Sequence, residues 1–352
     1  MQITPKLLKS RFPELICEIY GNEMHTIERV ASERNADKAA ISFVFKVERI
    51  PVFLNSDCGA LVIPDKGSNF FNRANGKVVL TSSNPELAMA LIVKEFFASK
   101  TLSTAGNEIH PSSTISKTAR IGKNVGIGAG TVIGDFVQIG DNSQISANCV
   151  VEDNVQIGKN CQLYPLVFVA RDCELGDGCI IQPHVSIGSQ GFGYAHDEVG
   201  NHFHKPHLGR VILGKNVEVG AGSQIDRGTI DDTVIGDGTK IDNLCHFGHN
   251  AVIGKNCLIT AGFISAGSVK VGDNFVCGGR TTIAGHIEVG NNITIAAHST
   301  VGGTTLEAGT YGGYPLVPIA TYKKNQASTA FMAEMRKNIS RLMKKVFPEE
   351  AK

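Results

Sequence analysis

From Ile115 to Ile187 every sixth residue is aliphatic, through Ile121, Ile127, Ile133, Ile139 and Ile145 to Val151, Leu163 and Leu175. Four places after each stands a small or β-branched residue, as at Ala119, Val125, Thr131, Ser143, Cys149 and Cys161. Glycine often follows the aliphatic, in IGKNVG, IGAGTV and IGDFVQ. A period of six matches neither the 3.6 of an amphipathic helix nor the 2 of a half-buried strand. Six residues suffice for one short strand and one corner. Three such units close a triangular coil of about 18 residues, and coils stack at the ordinary strand spacing of ~4.8 Å. The aliphatic side chain points inward and the small residue fills the angle beside it. The pattern predicts a mainly β fold, a left-handed parallel β-helix of hexapeptide repeats.

The period lapses after Ile187. The segment GSQGFGYAHDEVGNHFHKPHLGRV is rich in Gly and His and predicts a loop over residues 188–210 thrown out of the helix. Repeats resume, shifted, at Leu213, Val219 and Ile225, and return to the first phase at Ile235, running on through Val271, Ile283, Ile295 and Val301. The β-helix is thus expected over 115–318. Residues 1–100 lack the repeat. Their short apolar runs ISFVFKV, GALVIP and KVVLTS read as strands, and Asn84-Pro85 before ELAMALIVKEFF reads as a capped helix start, giving a small α/β domain. The Ser/Thr-rich stretch 101–114 is the expected linker. A C-terminal α-helical tail is expected over 319–352. Within it Phe331, Met335, Leu342 and Val346 fall on one stripe, beside Arg336, Lys337, Arg341, Lys344 and Lys345. Two readings of that basic helix stand: a solvated face packed within an assembly, or a docking site for an acidic carrier protein.

Composition narrows the function. With 34 Lys+Arg against 33 Asp+Glu among 352 residues there is no basic field, which argues against nucleic acid as a partner. No apolar run reaches the ~18 residues of a transmembrane span, and the N-terminus has no signal-peptide pattern, so a cytoplasmic protein is expected. Six of the nine cysteines, Cys149, Cys161, Cys173, Cys179, Cys245 and Cys257, occupy the small inward slot, where a free thiol packs as a small hydrophobe. There is no CxxC pair. The loop histidines His202, His204 and His207 have no acidic or Cys companion, so no metal is assigned.

The strings IGSQGFGYA, LGRVILG, IDRGTIDDTVIG and IDNLCHFGHNAVIG follow one another behind the α/β domain. In that order they resemble the UDP-3-O-(3-hydroxyacyl)glucosamine N-acyltransferases of lipid A biosynthesis, over nearly the whole chain. The resemblance implies a homotrimer with active sites in clefts between subunits. It implies transfer of a 3-hydroxyacyl chain from 4′-phosphopantetheine-linked acyl carrier protein to the 2-amino group of UDP-3-O-(3-hydroxyacyl)-glucosamine, with no cofactor. It implies that the N-terminal domain, 1–100, binds uridine.

The resemblance also carries residue roles. His249, at an outward corner of FGHNAV, matches the catalytic base, and Asp242 in IDN matches an acid that orients or polarises it. Gly267, eighteen residues beyond His249, matches the glycine whose N–H stabilises the oxyanion. His286, next to Gly285 and one rung further, matches a histidine near the nucleotide-sugar end of the substrate. His249, Gly267 and His286 should line one edge over about two rungs, ~10 Å. His246 reads as a surface residue, and Asp226 and Arg227 read as a structural pair where the loop rejoins the helix, with contact to substrate as the alternative. The chain departs from the family at the uracil site. Phe43 is present, but Lys46 and Arg49 stand where an Asn and a Tyr are usual, and Gln190 replaces the usual acid before GFGYA. A guanidinium can stack on a base and a lysine can meet a diphosphate, so Phe43, Lys46 and Arg49 remain the expected nucleotide contacts. The competing readings are a coenzyme A-dependent sugar-nucleotide O-acyltransferase or acetyltransferase on the same scaffold, and a non-catalytic β-helix scaffold.

Overall fold

A computed structural model describes residues 2–67, 70, 74, 76–97, 108–303, 307–312 and 319–347. The chain divides into two units, Met1–Thr101 and Leu102–Lys352. In the first, five strands form one sheet in the order Ile16–Tyr20, Val78–Ser82, Ala60–Pro64, Ala40–Phe43, Arg29–Val30. The first pairing is antiparallel and the others are parallel. The central strands are buried throughout Ala40–Phe43 and Val78–Ser82, which is why they read as continuous apolar runs. The helix Pro85–Ile92 starts as its sequence predicts. Asn84 Oδ1 accepts from the Leu87 N–H at 3.0 Å, and Pro85 takes the first helical position, where no N–H is needed.

The second unit is the parallel β-helix. Strands of two to four residues stack into three sheets of nine, ten and ten strands. Pairing joins residues eighteen apart, such as Ile139 to Ile157 and Ile145 to Leu163. The inward aliphatics and the small-slot cysteines are buried in one continuous core. Pairing begins before the expected boundary at 115: Ile109 bridges Ile127. The last residues of the expected 101–114 linker therefore already belong to the first coil, while 101–107 lie outside the described residues. The helix Ile319–Val346 follows, with its described side chains exposed. Residues 313–318 and 348–352 lie outside the described residues. No described helix is long and apolar enough to cross a membrane.

Each corner needs one residue in the left-handed backbone region. Asn supplies it at Asn124, Asn142, Asn148, Asn154, Asn160 and Asn256, with φ near 60°. A short polar side chain tolerates this region better than a branched one. At several corners the N–H of the residue just before this bend is capped by the Asp or Asn side chain at the same corner one coil later: Lys123 by Asp141, Lys159 by Asp177, Lys255 by Asp273, Asp273 by Asn291. A ladder of carboxylates and amides thus satisfies backbone donors that the strands leave over.

The two phase changes are two insertions. Leu175 pairs with Leu213, 38 residues on rather than 18, so the loop adds 20. Leu213 pairs with Ile235, 22 residues on, so a second insertion adds four. Together they make 24, four whole hexapeptides, and the original phase returns. The first insertion carries a hairpin, Tyr194–His196 against His202–His204. The second holds the IDRGTIDD string. Arg227, buried to 2% exposure, donates to the carbonyls of Gly209 and Arg171 at 2.8 and 2.6 Å and ties both insertions to the coil below.

If left-handed corners set the fold's stability, Asn256→Val should cost about 1–2 kcal/mol and Asn256→Gly much less. Unfolding midpoints in the order Gly near Asn, both above Val, are expected. A Val variant as stable as the parent would show that the corner conformation carries no cost.

Candidate active site

His249 sits on the corner after the strand His246–Phe247. Its Nδ1 lies 3.0 Å from Asn250 Oδ1 and 3.5 Å from Thr229 Oγ1. The Asn250 amide orientation is fixed from both ends. Its Oδ1 accepts from the Thr229 N–H at 3.0 Å and its Nδ2 donates to the Asp231 carbonyl at 2.9 Å. Oδ1 can only accept, so Nδ1 of His249 carries the proton and Nε2 keeps its lone pair. The bare Nε2 is the atom a general base needs. Thr229 and Asp231 come from the four-residue insertion, which therefore serves to brace the histidine.

Gly267 lies one coil on, directly against this imidazole. A Cβ there would meet Nε2 and Cε1 of His249 at 2.6 Å each. The imidazole occupies the space that a side chain at 267 would fill. The capping ladder lapses here, because positions 267 and 285 are both glycine. With no side chain at 285 to reach back, nothing among the described residues accepts the Gly267 N–H. An uncapped backbone donor therefore stands beside a histidine with a free lone pair. His286 follows Gly285 at the next left-handed corner, with φ of 61°, and donates its N–H to the Gly267 carbonyl at 3.2 Å.

His249 and His286 line a cavity of about 740 Å³ with Phe192, Gly193, Tyr194, His196, His202 and Lys205. The extruded hairpin provides the outer wall. Its GFG segment lies on two rings: a Cβ at Gly191 would meet His207 Nε2 at 2.7 Å and His249 Cβ at 2.8 Å. His207 is fully buried, edge-on to His249 with ring centroids 5.1 Å apart, and both its nitrogens lack a partner. Burial pushes its pKa down, and the neighbouring His249 adds to that, so it stays neutral. Gln190 Oε1 accepts the backbone N–H of His207 at 2.9 Å. Among the described residues no group of three or more His, Cys, Asp or Glu side chains is placed to hold a metal ion.

Asp242 is elsewhere in this chain. It stands on the corner after Lys240–Ile241, in a different sheet from His246–Phe247. Its carboxylate accepts from the N–H groups of Asn243 and Ala261 at 2.7 and 3.0 Å. In its own chain it does not orient His249; Asn250 does. Asp226 is buried, and that burial pushes its carboxyl up to about 7. His246 Nε2 is 3.7 Å away, and burial pushes that imidazole down. Both shifts favour the neutral forms, so the pair is not a strong ion pair.

The structure gathers Phe43, Lys46 and Arg49 around a second cavity of about 320 Å³ in the N-terminal unit, with Glu33, Val44, Phe45 and Phe53. Arg49 Nη2 is 2.6 Å from Glu33 Oε1, and its guanidinium sits 5.8 Å from the Phe53 ring centroid. One edge is thus held by a carboxylate while a planar face remains. Glu33, sixteen residues from Arg49, had no motif to mark it in the sequence.

Residues 118–153, 154–189 and 232–262 match the family described as bacterial transferase hexapeptide (six repeats). The UDP-3-O-acylglucosamine N-acyltransferase of Campylobacter lari is 43% identical over 316 residues, covering 89% of this chain and 95% of the relative. That of Campylobacter curvus is 40% identical over 310 residues, covering 88% and 93%. The chain belongs to the UDP-3-O-acylglucosamine N-acyltransferase family. The 33%-identical UDP-3-O-acylglucosamine N-acyltransferase 1 of Francisella tularensis matches over 220 residues, 62% of each chain. In this acyltransferase, Gly267→Ala should displace the imidazole it touches and lower turnover by at least about 100-fold, with the unfolding midpoint held. Turnover within twofold of the parent would mean that the contact does not set the histidine's position.

Proposed function

We propose that the protein works in the cytoplasm as a homotrimer. It moves a 3-hydroxyacyl chain from acyl carrier protein to the 2-amino group of UDP-3-O-(3-hydroxyacyl)-glucosamine, a step of lipid A biosynthesis. The observation that carries the reading is the bare Nε2 of His249 set against the uncapped Gly267 N–H. The amine nitrogen attacks the thioester carbonyl carbon. His249 Nε2 takes the proton that the nitrogen loses as the N–C bond forms. The carbonyl oxygen becomes an oxyanion and meets the Gly267 N–H. The tetrahedral carbon then expels the thiolate, which recovers the proton from the His249 imidazolium. An amide and a free thiol result, with no net proton released and no cofactor.

The acceptor end has two supports. His286 borders the transfer cavity, and Phe43, Lys46 and Arg49 border the cavity of the N-terminal unit. In the reading advanced here uracil packs on Phe43 with the Arg49 guanidinium against its other face, and Lys46 meets the diphosphate. Glu33 fixes one edge of the guanidinium and leaves its face to stack. Outward-facing Val132, Val150 and Ile264 of one sheet are exposed apolar side chains, which favours a second copy against that face. Asp242 can polarise a histidine only across such a subunit boundary, since its own chain uses it to cap Asn243 and Ala261.

The test is transfer from 3-hydroxyacyl carrier protein to UDP-3-O-acyl-glucosamine by the parent and by His249→Ala. A fall of about 10²–10⁴ in turnover, in a variant that keeps its oligomeric state, is expected. A variant as active as the parent would remove the base from His249. A parent that prefers coenzyme A thioesters would favour the O-acyltransferase or acetyltransferase reading, and one inactive with both donors would favour the scaffold reading.

A further inference from the structure

Six of the eight residues around the transfer cavity are not accounted for by His249 and His286. Three of those six, His196, His202 and Lys205, are nitrogen bases on the extruded hairpin. Among the described residues no carboxylate lines the cavity. The acids of the hairpin are at its turn, where Asp197 accepts from Asn201 and Val199, and Glu198 is exposed beside it. His196 and His202 face each other across the two strands, with Nδ1 to Nδ1 at 2.7 Å. That contact requires one nitrogen to donate and the other to accept, so a single proton lies between them. Each ring then has its Nε2 left over, and no described residue bonds either one. The ring that accepts at Nδ1 carries its own proton on Nε2, which is an outward N–H donor. The Lys205 ammonium stands on the same wall and His286 borders the same cavity. Donors without a counter-charge, converging on a cavity, suit an anion with several acceptor oxygens.

We propose that His196, His202 and Lys205 form a phosphoryl subsite on the hairpin wall, which holds a phosphate group carried by one of the two substrates. The inference rests on the acyl-transfer reading. Both substrates in that reading bring such a group: the acceptor a nucleotide diphosphate, the donor a pantetheine phosphate. The hairpin is then more than a cover for the catalytic corner. It supplies charge that the rigid coils at this corner lack, and it anchors a substrate at a point away from the reacting carbonyl.

The test uses the full chain and the variants His196→Leu, His202→Leu, Lys205→Met and His202→Arg, with Val199→Ser at the hairpin tip as control. KM is measured for the UDP-linked acceptor at saturating donor, and for the acyl-carrier donor at saturating acceptor. The three neutral variants should raise one KM by about tenfold or more, as loss of a charge-assisted hydrogen bond does. His202→Arg should recover most of it, and Val199→Ser should behave as the parent. A raised acceptor KM assigns the subsite to the nucleotide diphosphate, and a raised donor KM assigns it to the pantetheine phosphate. Both KM values within twofold of the parent in every variant would overturn the subsite. Should the parent itself turn over neither substrate, the transfer reading fails, and calorimetric titration with UDP and with inorganic pyrophosphate decides the subsite separately. Binding weakened in the Leu and Met variants supports it; binding that is absent, or equal in all variants, overturns it.

Discussion

Backbone pairing between residues eighteen apart fixes everything else in the second unit. The strands are only two to four residues long, so each coil is held by its neighbours and by the apolar column inside. A side chain in one coil therefore always has the same neighbours one coil away. Repetition at this distance lets Asp and Asn side chains cap corner N–H groups one coil back at several corners. Other corners have no such cap. Gly267 is one of them, because the residue one coil on is Gly285, and its N–H is the donor beside His249.

The insertions work within the same constraint. Because their lengths add to whole hexapeptides, they interrupt the pattern without displacing the coils beyond them. The longer one covers the catalytic corner with a hairpin. The shorter one turns Thr229 and Asp231 onto Asn250, which sets the tautomer of His249. The coils supply rigidity and the insertions supply the polar detail that a hexapeptide cannot encode.

The fold was legible in the sequence because the inward slot admits few side chains. The run of aliphatics at every sixth place allowed one solution, and the small-slot cysteines agreed with it. The stacking of Gly267 on His249 followed from counting eighteen. Features inside the insertions were not legible, since no period applies there. His207 stood as one of three loop histidines, and only the folded loop shows it fully buried against His249. Asn250 was visible in the HN pair, but its role depends on two backbone groups about twenty residues away. Asp242 was expected through the family resemblance to orient His249, within the chain or across subunits; seven residues carry the chain to the next corner, and within its own chain its carboxylate caps backbone N–H groups.

The Gly267 N–H is available because position 285 has no side chain. Gly285→Asp would extend the ladder by one rung, and a Cβ at 285 meets nothing closer than the Gly267 carbonyl at 3.3 Å. The decisive measurement is turnover of this variant beside its crystal structure. An unchanged His249, an aspartate capping the Gly267 N–H, and turnover lowered by about 10²–10³ are expected. Turnover equal to the parent's with that cap in place would contradict it.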